Sequence, residues 1–188
     1  MAVITAINSI LGASGEAPTP RYRVLGSPGA PSATGVHAAI ALTSSPQAAV
    51  TTGITSPTTP RNVTAKGNAS GNTGNVVITG TDEAGNTITE TIALNGATEV
   101  AGLKVFKTVT SIALPAETHA GTDTVSIGKG SRLGLGVKLS RNSISNVYLN
   151  GVKDSQADMA FDATNIYGNY VALTSTLNGT PVSVDFLQ

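Results

Sequence analysis

Three groups of side chains have the types and spacing from which chemistry could be made. His119 and Asp123 stand four residues apart in a serine-rich chain, the raw material of a Ser-His-Asp relay. Such a relay needs a nucleophile held on a sharp turn, and no Gly-x-Ser-x-Gly elbow accompanies the pair. The only other histidine, His37, is far away in sequence. Asp154, Asp158 and Asp162 recur at every fourth position, so on a helix they would line one face, and hard cations accept several such oxygens. Gly151 and strand-like neighbours argue for a loop instead, and EF-hand spacing is absent. Solvated loop carboxylates therefore stand against a weak Ca²⁺ site. Asp82 and Glu83, with Glu90 across the same hairpin, are paired carboxylates of the kind a glycosidase uses. With no Trp and no aromatic cluster nearby, a sugar cleft is hard to build around them, and both acids are expected in a solvent-exposed turn.

Glu90 breaks a pattern. It shares parity with Ile88, Ile92 and Leu94, the apolar face of its strand. Either the register slips at a bulge or the carboxylate meets a cation at an edge, with Lys107 as a possible partner. Gly128-Lys129-Gly130-Ser131 lacks the spacing and the following helix of a phosphate-binding loop, and reads as a turn. Tyr148, Tyr167, Tyr170 and Phe161 gather near the C-terminus. They suit either a contact or carbohydrate surface, or the core of a small module short of large apolar groups; the core is the expectation. No catalytic residue, cofactor-binding residue or metal ligand is assigned, and the chain reads as a non-enzyme without cofactors.

The elements that hold these residues are strands. Val76-Val77-Ile78, the loop Asp82-Glu83-Ala84-Gly85-Asn86 and the alternating run from Thr87 to Leu94 form a hairpin signal. Further strands are expected at 37–42, 62–65, 104–112, 122–127, 144–149, 166–173 and 182–186. Leu133, Leu135, Val137 and Leu139 alternate with Gly134, Gly136 and Lys138, which predicts one more half-buried strand with something packed against its glycines. Leu-Asn-Gly occurs at 94–96, 149–151 and 177–179 at unequal spacing, indicating short hairpins rather than a solenoid. The expected fold is all-β: a β-sandwich or barrel-like module of short antiparallel strands with an extended N-terminal arm.

Composition narrows the function. Only 12% of the 188 residues are charged, about half the usual share. A Thr/Ser/Asn/Ala surface can be wetted, as in a neutral secreted or thermophilic domain, or buried in protein contacts at little desolvation cost, and a subunit of a large assembly is the expectation. Net charge is zero, which removes long-range attraction to nucleic acid. Cysteine is absent, excluding disulfides and thiolate metal sites. No apolar run approaches the roughly 20 residues of a membrane-spanning helix, and Met1 to Gly12 lacks the basic start of a signal peptide. Sequons at Asn62, Asn68 and Asn178 read as chance matches in an Asn/Thr-rich chain.

Residues 1–60 hold seven of nine prolines, which disfavours long ladders, and are expected to form an arm that orders against a partner. Ile4, Ile7, Ile10 and Leu11 give it surface to bury, and Ile40 and Leu42 belong to its one plausible strand. Residues 61–141 read as a β-module, and 142–188 as a C-terminal hairpin module or part of the same sandwich.

Three passages carry a resemblance: Pro60-Arg61-Asn62-Val63-Thr64, the hairpin ending Ile88-Thr89-Glu90-Thr91-Ile92, and Phe106-Lys107-Thr108-Val109-Thr110-Ser111-Ile112 before Val125-Ser126-Ile127-Gly128. Over about residues 57–139 the chain resembles a β-rich module of structural proteins in tailed bacteriophages. The resemblance implies a virion component, foremost a capsid decoration (cement) protein. Such proteins sit at capsomer junctions, bind the major capsid protein and are commonly homotrimers. Localisation on the capsid exterior, after synthesis in the host cytoplasm, follows from it, without nucleic-acid or membrane partners. Ile4, Ile7, Ile10, Leu11, Ile40 and Leu42 are then the expected partner-binding residues. A tail, baseplate or head-fibre component, or a host- or carbohydrate-binding β-sandwich, is the alternative.

Overall fold

A computed structural model describes residues 19–188, and the fold in them is all-β. Thirteen strands follow one another among the described residues: β1 (Pro20–Gly26), β2 (Ser32–Ala41), β3 (Arg61–Gly67), β4 (Asn75–Thr81), β5 (Thr87–Ala93), β6 (Val100–Phe106), β7 (Thr108–Ala113), β8 (Thr124–Gly134), β9 (Ile144–Leu149), β10 (Val152–Lys153), β11 (Asp158–Ala160), β12 (Tyr170–Ala172) and β13 (Val182–Leu187). A single 3₁₀ turn at Ile166–Gly168 is the only helical element among them.

The strands form three antiparallel sheets. The first runs β1-β13-β9-β10; the second runs β11-β12-β8-β3-β6, with β2 also paired to β8; the third is β5-β4-β7. Period-2 burial along β5 (Ile88, Glu90 and Ile92 in, threonines out) shows why these runs become strands with one wetted face. One core lies between the second and third sheets around Val63, Ile78, Phe106, Ile112 and Ile127. A second gathers Leu133, Leu135, Leu139, Val147, Val184 and Phe186 under the first sheet. β8 serves both, with Val125 and Ile127 in one core and Leu133 in the other.

Residues 20–60 are not an arm. β1 pairs along its length with β13, and β2 pairs with β8 through two register shifts. Thr19 and Gln188 exchange backbone hydrogen bonds of 2.9 and 3.1 Å, so the described chain closes where its ends meet. The prolines are accommodated because they avoid ladder interiors: Pro20 opens the edge strand, and Pro28, Pro31, Pro46, Pro57 and Pro60 lie between strands. Leu42 is buried in the first core and half-buried Ile40 packs against it, so both serve the fold. Ile4, Ile7, Ile10 and Leu11 lie outside the described residues.

Three expected strands come out differently. The run at 166–173 opens as the 3₁₀ turn Ile166–Gly168, and only Tyr170–Ala172 is strand. The run at 104–112 is two strands in two sheets, divided at Lys107, whose N–H donates to the Thr81 carbonyl at 2.8 Å. The alternating run at 133–139 leaves the ladder after Gly134, because Gly136 takes φ +65° and Leu135 N–H turns to the Asn169 carbonyl. The expected close approach does occur: a Cβ at Gly134 would overlap Val105, and one at Gly136 the Glu83 carboxylate. The Asn150-Gly151 hairpin joins β9 to β10 with both residues at positive φ (50° and 77°), as a tight two-residue turn requires. Leu177-Asn178-Gly179 instead links strands of different sheets.

Candidate functional site

The carboxylates singled out by sequence are spent inside the fold. Asp123 is buried, and its oxygens accept hydrogen bonds from the Thr118 and His119 N–H groups, the Thr118 hydroxyl and His119 Nδ1. Burial alone would raise its pKa, but these donors outweigh it and bring the carboxyl down to about 2. His119 and Asp123 thus meet at 3.0 Å, as a relay would need. The hydroxyl beside them, Thr118 Oγ1, donates to the same carboxylate and is no nucleophile for the imidazole. The cluster pins the turn before β8.

Glu90 is buried on the core side of β5 with no bulge in the β4–β5 register. Its carboxylate accepts the N–H groups of Leu103 and Lys104, joining the edge of the third sheet to the edge of the second. The predicted cation at Lys107 is replaced by backbone donors. Burial raises the Glu90 pKa, partly offset by those two N–H groups. Gly102 is glycine because a Cβ there would overlap the same carboxylate.

Asp82 is not in solvent: it is 2% exposed and closes its own turn, accepting Asn86 N–H at 2.9 Å and Asn86 Nδ2–H at 3.1 Å. Glu83 forms an ion pair with Arg23 of β1, which ties the hairpin tip to the first sheet. Asp154, Asp158 and Asp162 do not converge. Asp154 accepts from Gln156, Thr174 and Ser175, Asp162 holds Thr164 and Asn165, and Asp158 lies exposed in β11. Among the described residues no three metal-ligating side chains cluster. Asn62 is 2% exposed, with its amide bonded to Gly102 and Arg132, so that sequon is closed to glycosylation.

One charge had no warning in the sequence. Arg61 in β3 is 2% exposed, and only its Nη1 donates, to the Gly29 carbonyl at 3.0 Å; Nε and Nη2 have no partner. Burial lowers its pKa to about 10. Only the fold reveals this, because the partner Gly29 lies in the β1–β2 connection and nothing in Pro-Arg-Asn distinguishes an inward arginine.

The four aromatics gathered near the C-terminus are not buried core members, contrary to expectation, although Tyr167 packs against the first core. The buried aromatics are Phe106 and Phe186, whereas Phe161 is exposed and Tyr148, Tyr167 and Tyr170 are half-buried. Tyr22, which the sequence reading passed over, is 66% exposed on β1, with Val24 at 55% on the same face. Beside them on β13 and β9 stand Asp185 and Tyr148, joined by a 3.0 Å hydrogen bond from the phenol. β1 is also the sheet's edge, so among the described residues its outer N–H and C=O groups meet no strand. This face and edge form a contact-ready surface of the first sheet, and the strand that carries them follows directly on residue 19.

Comparison with protein-family models, with curated proteins and with solved structures found no match to this chain.

Proposed function

We propose that the chain is a virion structural protein, foremost a capsid decoration protein that binds the outer shell at subunit junctions. The observation that carries the reading is the exposed face and open edge of β1, set on a body whose acids hold turns and sheet edges. An edge strand recruits a partner strand through backbone hydrogen bonds, and Tyr22 and Val24 supply apolar area beside it. The low charge favours the same use, because Thr, Ser and Asn desolvate at less cost than Lys and Glu. The resemblance of residues 57–139 to phage structural modules supplies the class of partner, the major capsid protein. Several modest contacts per copy, multiplied in a homotrimer, would hold a shell more firmly than any one of them.

The test is a Tyr22→Ser, Val24→Ser double variant in a binding assay on undecorated expanded capsids. Both side chains point outward, so folding is expected to survive and affinity for the shell to fall at least about tenfold, on the scale of losing ~1.4 kcal/mol. Unchanged binding by a folded double variant would remove this face from the reading.

A further inference from the structure

A cleft of about 730 Å³ lies between the β4–β5 hairpin, β6 and the turn around Ile166. That volume falls within the range of about 300–1,000 Å³ typical of small-ligand sites. Its wall chemistry is consistent. Asn86, Thr87, Thr89, Thr164 and Asn165 contribute amides and hydroxyls, and Ile88, Ile166 and the Tyr167 ring contribute apolar surface. Three charged residues line it, Asp82, Lys104 and Lys138, so the lysines outnumber the carboxylate two to one.

The walls are held in place before any ligand arrives. Asn86 donates its side-chain N–H to buried Asp82 at 3.1 Å, and Asn165 donates to Asp162 at 3.0 Å. Each amide therefore has a fixed orientation and keeps its oxygen for another donor. Thr164 N–H is fixed by the same Asp162 at 2.7 Å. Lys104 donates to the Thr89 carbonyl at 2.7 Å and sits 4.9 Å from the Tyr167 ring centre, leaving further N–H donors. Asp82 in the lining and Asp162, whose charge Lys138 feels, each hold their own turn with both oxygens, while the two lysines keep N–H donors for an incoming anion.

We infer that this cleft binds a short anion-bearing oligosaccharide, with Lys104 and Lys138 meeting the acidic group and the amides and hydroxyls reading the sugar's own. A ring of preset donors and acceptors around a tyrosine suits a polyhydroxylated ligand better than an acidic peptide, which would offer few hydroxyls to match. The inference stands independently of shell binding.

The test is a titration of the full-length protein followed by NMR, with trigalacturonate, galactose 6-phosphate, neutral galactotriose and penta-glutamate as probes. Saturable shifts at Asn86, Lys104, Asn165 and Tyr167 are expected with trigalacturonate or with the sugar phosphate, the better of the two identifying the acidic group as carboxylate or phosphate. Lys138→Met, at an exposed position, is expected to weaken the interaction at least threefold, and Lys104→Met with Lys138→Met at least tenfold. Affinity is also expected to fall with added salt. Equal binding of galactotriose, equal or tighter binding of penta-glutamate, shifts unaffected by Lys138→Met, or no saturation by either acidic sugar would each overturn the inference.

Discussion

At the scale of single residues, the acids of this protein work as fasteners, and their pKa shifts make opposite predictions. Asp123 has a folded pKa of about 2 against an ordinary 3.8, so its contribution to stability is complete above pH 3.8 and disappears as pH falls toward 2. Asp123→Asn is expected to flatten that acid limb in urea melts taken from pH 5 to pH 2. Glu90 goes the other way. Its folded pKa is raised by burial, so the native state holds its proton more tightly, and stability falls as pH rises from 4.5 through the folded value. Glu90→Gln, which keeps an acceptor for Leu103 and Lys104, should remove that slope at little cost. Glu90→Ala strands two amides and should cost about 2 kcal/mol. Arg61 is buried with two donors unmatched, and Arg61→Met is expected to stabilise the fold by about 1 kcal/mol, read as a higher urea midpoint. A lower midpoint would mean that the single bond to Gly29 outweighs the desolvation of the charge.

At the scale of strands and turns, glycines mark where the fold tolerates nothing larger. A Cβ at Gly80 would overlap the Thr108 carbonyl oxygen, beside the register shift between β4 and β7. Gly80→Ala should cost about 2 kcal/mol by forcing those strands apart. At Gly151 no atom lies nearby, and the whole cost of Gly151→Ala is the positive φ of 77°, about 1 kcal/mol. Chemical denaturation of both variants separates close packing from backbone strain. The hairpins were legible in sequence because turn chemistry is local: Asp82 to Asn86 and Asn150-Gly151 sit where the residue types place them. The break at Lys107 was not legible, since Phe-Lys-Thr-Val alternates smoothly and only the packing of Phe106 and Val109 moves the chain to another sheet. Glu90 was flagged by parity, but its partners are amides of a strand not adjacent in sequence, which no side-chain pattern records. The cleft was missed altogether, because its walls come from residues about 80 apart.

At the scale of the whole molecule, the body between Thr19 and Gln188 is self-contained: each described strand pairs within it, and both cores close. A chain beginning at Thr19 is therefore expected to melt within about 0.5 kcal/mol of the full-length protein. The segment expected to reach for a partner shrinks from sixty residues to the first eighteen, because β1 and β2 are spoken for by β13 and β8. Removing residues 1–60 would delete two strands paired to β13 and β8, so the informative truncation stops before Thr19. The direct measurement is co-sedimentation of the full-length protein, and of the chain starting at Thr19, with undecorated expanded capsids across a concentration series. Saturation of the full-length protein at a fixed ratio to shell subunits, and weaker binding of the shortened, folded chain, are expected. No saturable binding by either would contradict the assignment to the capsid.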